Sequence, residues 1–233
     1  MAQTSTTLSG AKSHIENITG TDISFTSSGG TFTISSTSTE LTGSGKLAVR
    51  DIITVTGTTN NNSTFTVKSV VSTTEFTVEE IVTTEASDGS STVTLDHTGF
   101  VTDKAKGDGY FSQTDGVHTV VYQVVNLGDS TDDFNGNIKM QGSLATTPTE
   151  DDFFDIDGTT MTSDQSTKIA SFNFTGNFVW VRAKVTTTNQ TSNPSLVTSI
   201  LLNNFYFVLF IIPRIFLFIG FITSLTYFIK LFF

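Results

Sequence analysis

An all-β fold is predicted for residues 1–204 on three observations. Apolar and polar residues alternate over short runs, as at Ile23 and Phe25 and again at Phe32 and Ile34; this is the period of a strand with one buried face. The runs recur roughly every 10 residues, separated by Gly, Asn, Ser and Asp, which turn a chain. No stretch repeats apolar residues at i, i+3, i+4 and i+7 through a whole helix, and only Glu79–Ala86 has room for two turns. The expected organisation is a flexible arm at 1–20, two small antiparallel β-barrel or sandwich domains at 21–100 and 101–203, and a helix-like hydrophobic tail at 204–233.

The elements follow in order. Ser27-Ser28-Gly29-Gly30 turns a hairpin between the Ile23/Phe25 and Phe32/Ile34 strands. Ile53 and Val55 lead into the turn formers Thr58–Ser63, and the returning strand should point Phe65, Val67 and Val70 inward. Phe76 and Val78, then Val93 and Leu95, complete the first domain before Gly99. The segment 102–109, rich in Gly, Asp and Lys, reads as a linker. Strands are then expected over 117–125, 137–144, 168–174, 177–188 and 196–202. In FVWVRAKV, Val179, Val181, Ala183 and Val185 share the core face, leaving Phe178, Trp180, Arg182 and Lys184 on the other.

Composition excludes several functions. There is no Cys, hence no disulfide scaffold, thiolate nucleophile or Cys-ligated zinc. The formal charge is −10, and setting aside Arg214 and Lys230 of the tail leaves −12 on the rest. So acidic a surface repels phosphate backbones, which argues against a nucleic-acid partner. The start, MAQTSTTLSGAKSH, has no apolar core of the kind a signal peptide carries.

Two segments carry a resemblance. DIITVTGTTNNNSTFTVKSVVSTTEFTV (51–78) is similar to a β-module of tailed-bacteriophage virion proteins: a Gly-Asp-x-Ile-x-Val-x-Gly strand, an Asn-rich turn, then Thr-Phe/Tyr-Thr-Val-x-Ser-Val. Arg50-Asp51 stands where that module has Gly-Asp. The second runs from GYFSQTDGVHTVVYQV through GNIKMQGSLATTPTEDDFFDI to FTGNFVWVRAKVT and resembles a β-sandwich module of virion structural proteins, notably of marine phages. Together they cover most of 45–202. The resemblance implies assembly and surface binding, with no catalytic residues to carry over.

Motifs for chemistry are weak. Glu150-Asp151-Asp152 with Asp155 and Asp157 is the densest carboxylate group, but Phe153 occupies the place of the first ligand in an EF-hand-like loop. The group reads as an acidic loop. Gly43-Ser44-Gly45-Lys46 lacks the leading Gly and following Ser/Thr of a P-loop. Ser9 and Lys12 match S-x-x-K without a supporting motif. His14, His97 and His118 are scattered, and Asp96 and His97 should point to opposite faces. No catalytic residue, metal site or cofactor is expected. The candidate ligand ridge is Trp180, Arg182 and Lys184, with Asp151 and Asp152 from a loop: an aromatic and cations for a sugar or protein partner.

Residues 205–229 are long enough to cross a bilayer, with Arg214 near the middle as a cost. A misread frame is the other reading, since the tail is dominated by residues of AT-rich codons. Either way, residues 205–233 are expected to be dispensable for folding. The expected function is a non-enzymatic virion structural protein, homo-oligomeric, partnered by other virion proteins or a host surface glycan. The alternative is a surface adhesin or carbohydrate-binding module, anchored in a membrane by the tail.

Overall fold

A computed structural model describes residues 4–112, 116–124, 134–164, 169–187 and 195–204. Residues 205–233 of the tail and the expected strand ends Val125, Lys168 and Thr188 lie outside the described residues, while Asn204 ends a strand.

In chain order the strands are β1 (Thr4–Ser9), β2 (Lys12–Ser13), β3 (Ile18–Gly20), β4 (Ile23–Ser28), β5 (Thr31–Ser36), β6 (Asp51–Thr56), β7 (Thr64–Ser72), β8 (Glu75–Val78) and β9 (Val93–Val101). There follow β10 (Ala105–Lys106), a 3-10 turn at Asp108–Phe111, β11 (Val117–Val124), β12 (Asn135–Ser143) and a 3-10 turn at Glu150–Asp152. The last are β13 (Phe154–Asp155), β14 (Met161–Asp164), β15 (Ile169–Thr175), β16 (Trp180–Thr187) and β17 (Ser195–Asn204).

The protein is all-β, with two antiparallel sheets. The smaller has the order β1-β17-β11-β15, with β2 also on β17. The larger runs β13-β12-β16-β9-β6-β7-β8-β5-β4, with β10 on β16, β14 on β12 and β3 on β9. Neither closes on itself, so no barrel forms among the described residues. Glu79–Ala86 winds no helix: Glu85 and Phe25 instead exchange two backbone hydrogen bonds of 2.9 Å.

The strand pattern produces two cores. One gathers Phe25, Ile34, Ile53, Phe65, Phe76 and Leu95 with their neighbours, drawn from residues 15–95. The other lies between the two sheets, with Val120, Tyr122 and Ile200 from the smaller and Met140, Val181 and Val185 from the larger. The hairpin between β4 and β5 turns on Gly29 and Gly30, both left-handed at φ 58° and 79°; a tight two-residue turn needs this and glycine supplies it without strain.

Four expectations on detail are corrected. Residues 4–20 are not a free arm: β1 and β2 pair with β17, and β3 with β9. The supposed linker is packed, because β10 pairs with β16 and a 3-10 turn follows it. Val70 is 45% exposed rather than inward, because bulges between Val67 and Ser69 and between Val70 and Ser72 shift the pleat. Phe178 is buried, its ring tilted against those of Phe174, Phe154 and His118, because β16 begins only at Trp180 and the residue is not held to that strand's alternation.

Candidate functional site

Strand β16 lies between β12 and β9, and its outer side chains build the site. Ser143, Gln141 and Lys139 of β12 stand opposite Trp180, Arg182 and Lys184. On the other side Lys106 stands opposite Trp180. Cross-strand partners point the same way, so these side chains share one face.

Arg182 is only 5% exposed. Its Nε donates to Gln141 Oε1 at 2.9 Å, Nη1 donates to Glu150 Oε1 at 2.7 Å, and the guanidinium lies 3.8 Å from the centre of the Phe153 ring. Three contacts in different directions fix the fork before any partner arrives. Lys184 stands opposite Lys139, an unfavourable pairing of like charges that the Lys139–Asp155 ion pair relieves. Burial alone would raise the Asp155 carboxyl, but the hydrogen bonds from Lys139 and Gln141 outweigh it and hold the group below the usual carboxylate range.

Trp180 anchors an aromatic ladder. Its indole N–H donates to Thr146 O at 3.1 Å, Tyr110 meets it edge-on at 5.0 Å, and Lys104 Nζ lies 4.8 Å from its ring centre. Phe111 is 5.2 Å from Tyr110, and Lys106 Nζ sits 4.1 Å over Tyr110. Tyr110 and Phe111 are 42% and 44% exposed, so the ladder offers ring surface to solvent. The 3-10 turn that presents them is held from below by Asp108, which is buried, accepts the Gly116 N–H at 2.6 Å and faces His118 at 3.4 Å.

Beside this face opens a groove of about 160 Å³, bordered by Arg50, Lys68, Lys104 and Arg182 with Phe153, Glu150 and Glu79, the last of which pairs with Lys68 at 2.9 Å. Arg50 has φ 76°, a left-handed conformation that side chains other than Gly adopt at a cost. It sits where the resembled module has Gly. Its Nη1 donates to Thr102 O at 3.1 Å, and Nη2 lies 2.6 Å from Asp103. Arg50→Gly is expected to leave unfolding stability unchanged within about 1 kcal/mol, since relief of strain offsets an exposed ion pair and the added freedom of the unfolded chain. Urea denaturation showing a much larger loss would mean that the guanidinium holds the fold rather than serving the groove.

Of the expected loop acids, Asp152 is turned onto its own backbone. Its carboxylate accepts the Thr149 N–H at 2.7 Å and the Thr149 hydroxyl at 2.8 Å, the backbone bond being the chief reason its carboxyl lies below the usual range. Asp151 is exposed, and Glu150 is the member of this run that reaches Arg182. Trp180, Arg182 and Lys184 therefore share a surface, while Asp152 serves as a turn cap. Sequence reasoning missed Arg50, Lys104, Tyr110, Phe111 and Phe153. Tyr110-Phe111 following Lys104-Ala105-Lys106 was the available signal, hidden because that segment reads as a linker.

Outside this face, Asp51 is fully buried, with Lys12 Nζ 2.5 Å and His97 Nε2 3.6 Å from the same carboxylate oxygen. The His14 ring lies 5.5 Å from that of His97. Asp96 is partly exposed while His97 is 1% exposed, so adjacent residues do point apart and the histidine's acid partner is Asp51. A second groove, of about 200 Å³, is bordered by Glu85 and Asp88, whose carboxylates bind neighbouring loop amides. Among the described residues no three His, Asp or Glu side chains are placed to hold a metal ion.

Comparison with protein-family models, with curated proteins and with solved structures finds no match to this chain.

Proposed function

We propose that this chain is a non-enzymatic structural protein of a tailed-phage virion, a decoration, neck or fibre-associated component that acts by surface recognition. On this reading the two cores belong to two small β-domains, the second a sandwich. The observation that carries the proposal is the concentration of cations and aromatic rings on one rigid sheet face of an acidic chain. Of the nine Lys and Arg among the described residues, all but Lys12 and Lys46 border this face or its groove. Such a surface suits recognition of a partner, and symmetric repetition in a particle multiplies weak contacts. The similarity of 51–78 and of the segments between 109 and 186 to virion modules points the same way. Mass spectrometry of purified particles encoding this chain is expected to find the polypeptide; particles without it would remove the proposal.

The exposed rings of Tyr110 and Phe111 beside Trp180 favour a second reading, a carbohydrate-binding surface protein, because sugars stack on such faces. Under either reading Trp180→Ala is expected to weaken partner binding about tenfold or more, since an aromatic at the centre of a contact carries much of its energy. The fold should survive, as the ring is half-buried at the surface. Undiminished binding by the folded variant would reduce Trp180 to a packing role.

A further inference from the structure

We infer that β15 is the surface through which two copies of this chain associate, edge to edge and antiparallel. This surface lies on the smaller sheet, apart from the β16 face. A strand at the end of a sheet leaves every second N–H and C=O unpaired, and folded proteins shorten, bend, charge or cover such edges. The other edges of this protein are treated in these ways. At β4 the edge is covered: Phe25 and Glu85 exchange two backbone hydrogen bonds, and the Ser27 N–H donates to the Thr84 hydroxyl at 3.0 Å. Strands β2, β3, β10, β13 and β14 are two to four residues long. A bulge between Thr7 and Ser9 breaks β1. None of these protections is found at β15. Its seven residues, IASFNFT, pair with β11 in unbroken register from Ile169 to Thr175 and include no Pro and no charge. Among the described residues no strand pairs with its other side.

Charge and shape select a second copy as the occupant. A row of free N–H and C=O groups is completed by another extended chain. This chain carries 22 Asp and Glu against 12 Lys and Arg, so two copies repel over much of their surface. None of those residues lies on β1, β11, β15 or β17, and His118 of β11 is buried. Copies that meet through this sheet oppose no like charges there. The strand also matches itself. Turned antiparallel about Phe172, it sets Ala170 opposite Phe174, Ser171 opposite Asn173 and Ile169 opposite Thr175 of the second copy. Small faces large on the core side, polar faces polar on the solvent side, and the two Phe172 rings meet at the centre. Phe172 packs on the core but is only partly buried, 5.6 Å from the Tyr122 ring, and Ile169 is 62% exposed. The second strand covers both and adds on the order of six backbone hydrogen bonds. Such a contact is isologous, closes at two copies and uses no residue of the β16 face.

The chain has no Cys, so an introduced thiol reports its own neighbours. Full-length Ser171→Cys and Asn173→Cys chains, mixed under mild oxidation, test the pairing by mass spectrometry of the disulfides formed. Directly opposite positions lie within disulfide reach. Links between the two variants are expected about tenfold or more above those formed by Ile81→Cys, whose side chain is 79% exposed on the loop after β8. They should be lost when Ile169→Lys and Thr175→Lys are added to both chains, which sets like charges opposite one another. They should return when one of the two chains carries Ile169→Glu and Thr175→Glu instead. Circular dichroism matching wild type establishes that each variant is folded. Links no more frequent than at Ile81, or unchanged by the paired lysines in folded chains, would overturn the inference. So would copies that associate without joining position 171 to position 173.

Discussion

Asp51→Asn is expected to lower the unfolding free energy by about 3 kcal/mol, the lower end of the range for breaking a buried ion pair, because Lys12 keeps some contact with water. For a domain of this size the melting temperature should fall by roughly 6–12 °C. Asp51 begins β6, accepts the Ala48 N–H at 2.8 Å on one oxygen and meets Lys12 and His97 on the other. Lys12 also lies 4.7 Å over the Phe100 ring. One side chain thus ties the N-terminal segment to β6 and β9. Burial alone would raise the Asp51 carboxyl, but His97 and Lys12 outweigh it and hold the group below its ordinary value. A carboxyl depressed on folding stabilises when ionised, so the contribution is complete above its unfolded value of about 3.9 and is lost as pH falls through the lower folded value. Thermal melts of wild type and variant should therefore differ at pH 7 and at pH 5 and converge only in stronger acid. Equal melting at neutral pH would contradict this account of the pair.

Gly99→Ala is expected to cost about 3 kcal/mol or more, or to prevent folding, because the conformation and the space both exclude a side chain. Gly99 has φ 145°, and a Cβ there would stand 2.0 Å from Val185 O. The residue lies at a bulge, where Ile52 and Ile53 of β6 face Gly99 and His97 with Thr98 left over. Immediately before it β9 packs Val93 and Leu95 into one core; immediately after it Phe100 enters the other. The two cores are thereby carried on one continuous strand. Chemical denaturation followed by circular dichroism measures the loss, and a variant within about 1 kcal/mol of wild type would mean that the strands separate there at little cost.

The contrast with the sequence reading follows from these positions. Period-two alternation located the buried face of β16 from Val181 to Val185 and the inward Phe65, Val67, Phe76 and Leu95, because each residue there obeys the pleat. Gly99 reads as punctuation between domains; only the register shows that it is a bulge inside a strand. Val70 failed for the same reason, as bulges leave no mark on composition. The N-terminal strand β1, TSTTLS, has a single buried apolar residue, Leu8, and is held by backbone pairing to β17, which no hydropathy pattern announces. At the site, residues spaced two apart on one strand were legible. Arg50, Lys104 and Phe153 were not, since they line the same groove as Arg182 from segments distant in sequence.

Hydroxyl-radical footprinting of purified particles against the free chain tests most directly whether the β16 face is the surface that binds. Trp180 is the one tryptophan, and peptides carrying it, Tyr110 and Phe111 are separable by mass spectrometry. These three rings are expected to be oxidised in the free chain and protected severalfold in the particle, while exposed residues away from the face, such as Ile81 and Ile169, react more nearly alike in both. Equal oxidation of Trp180, Tyr110 and Phe111 in the two states would place the contact elsewhere and contradict the account.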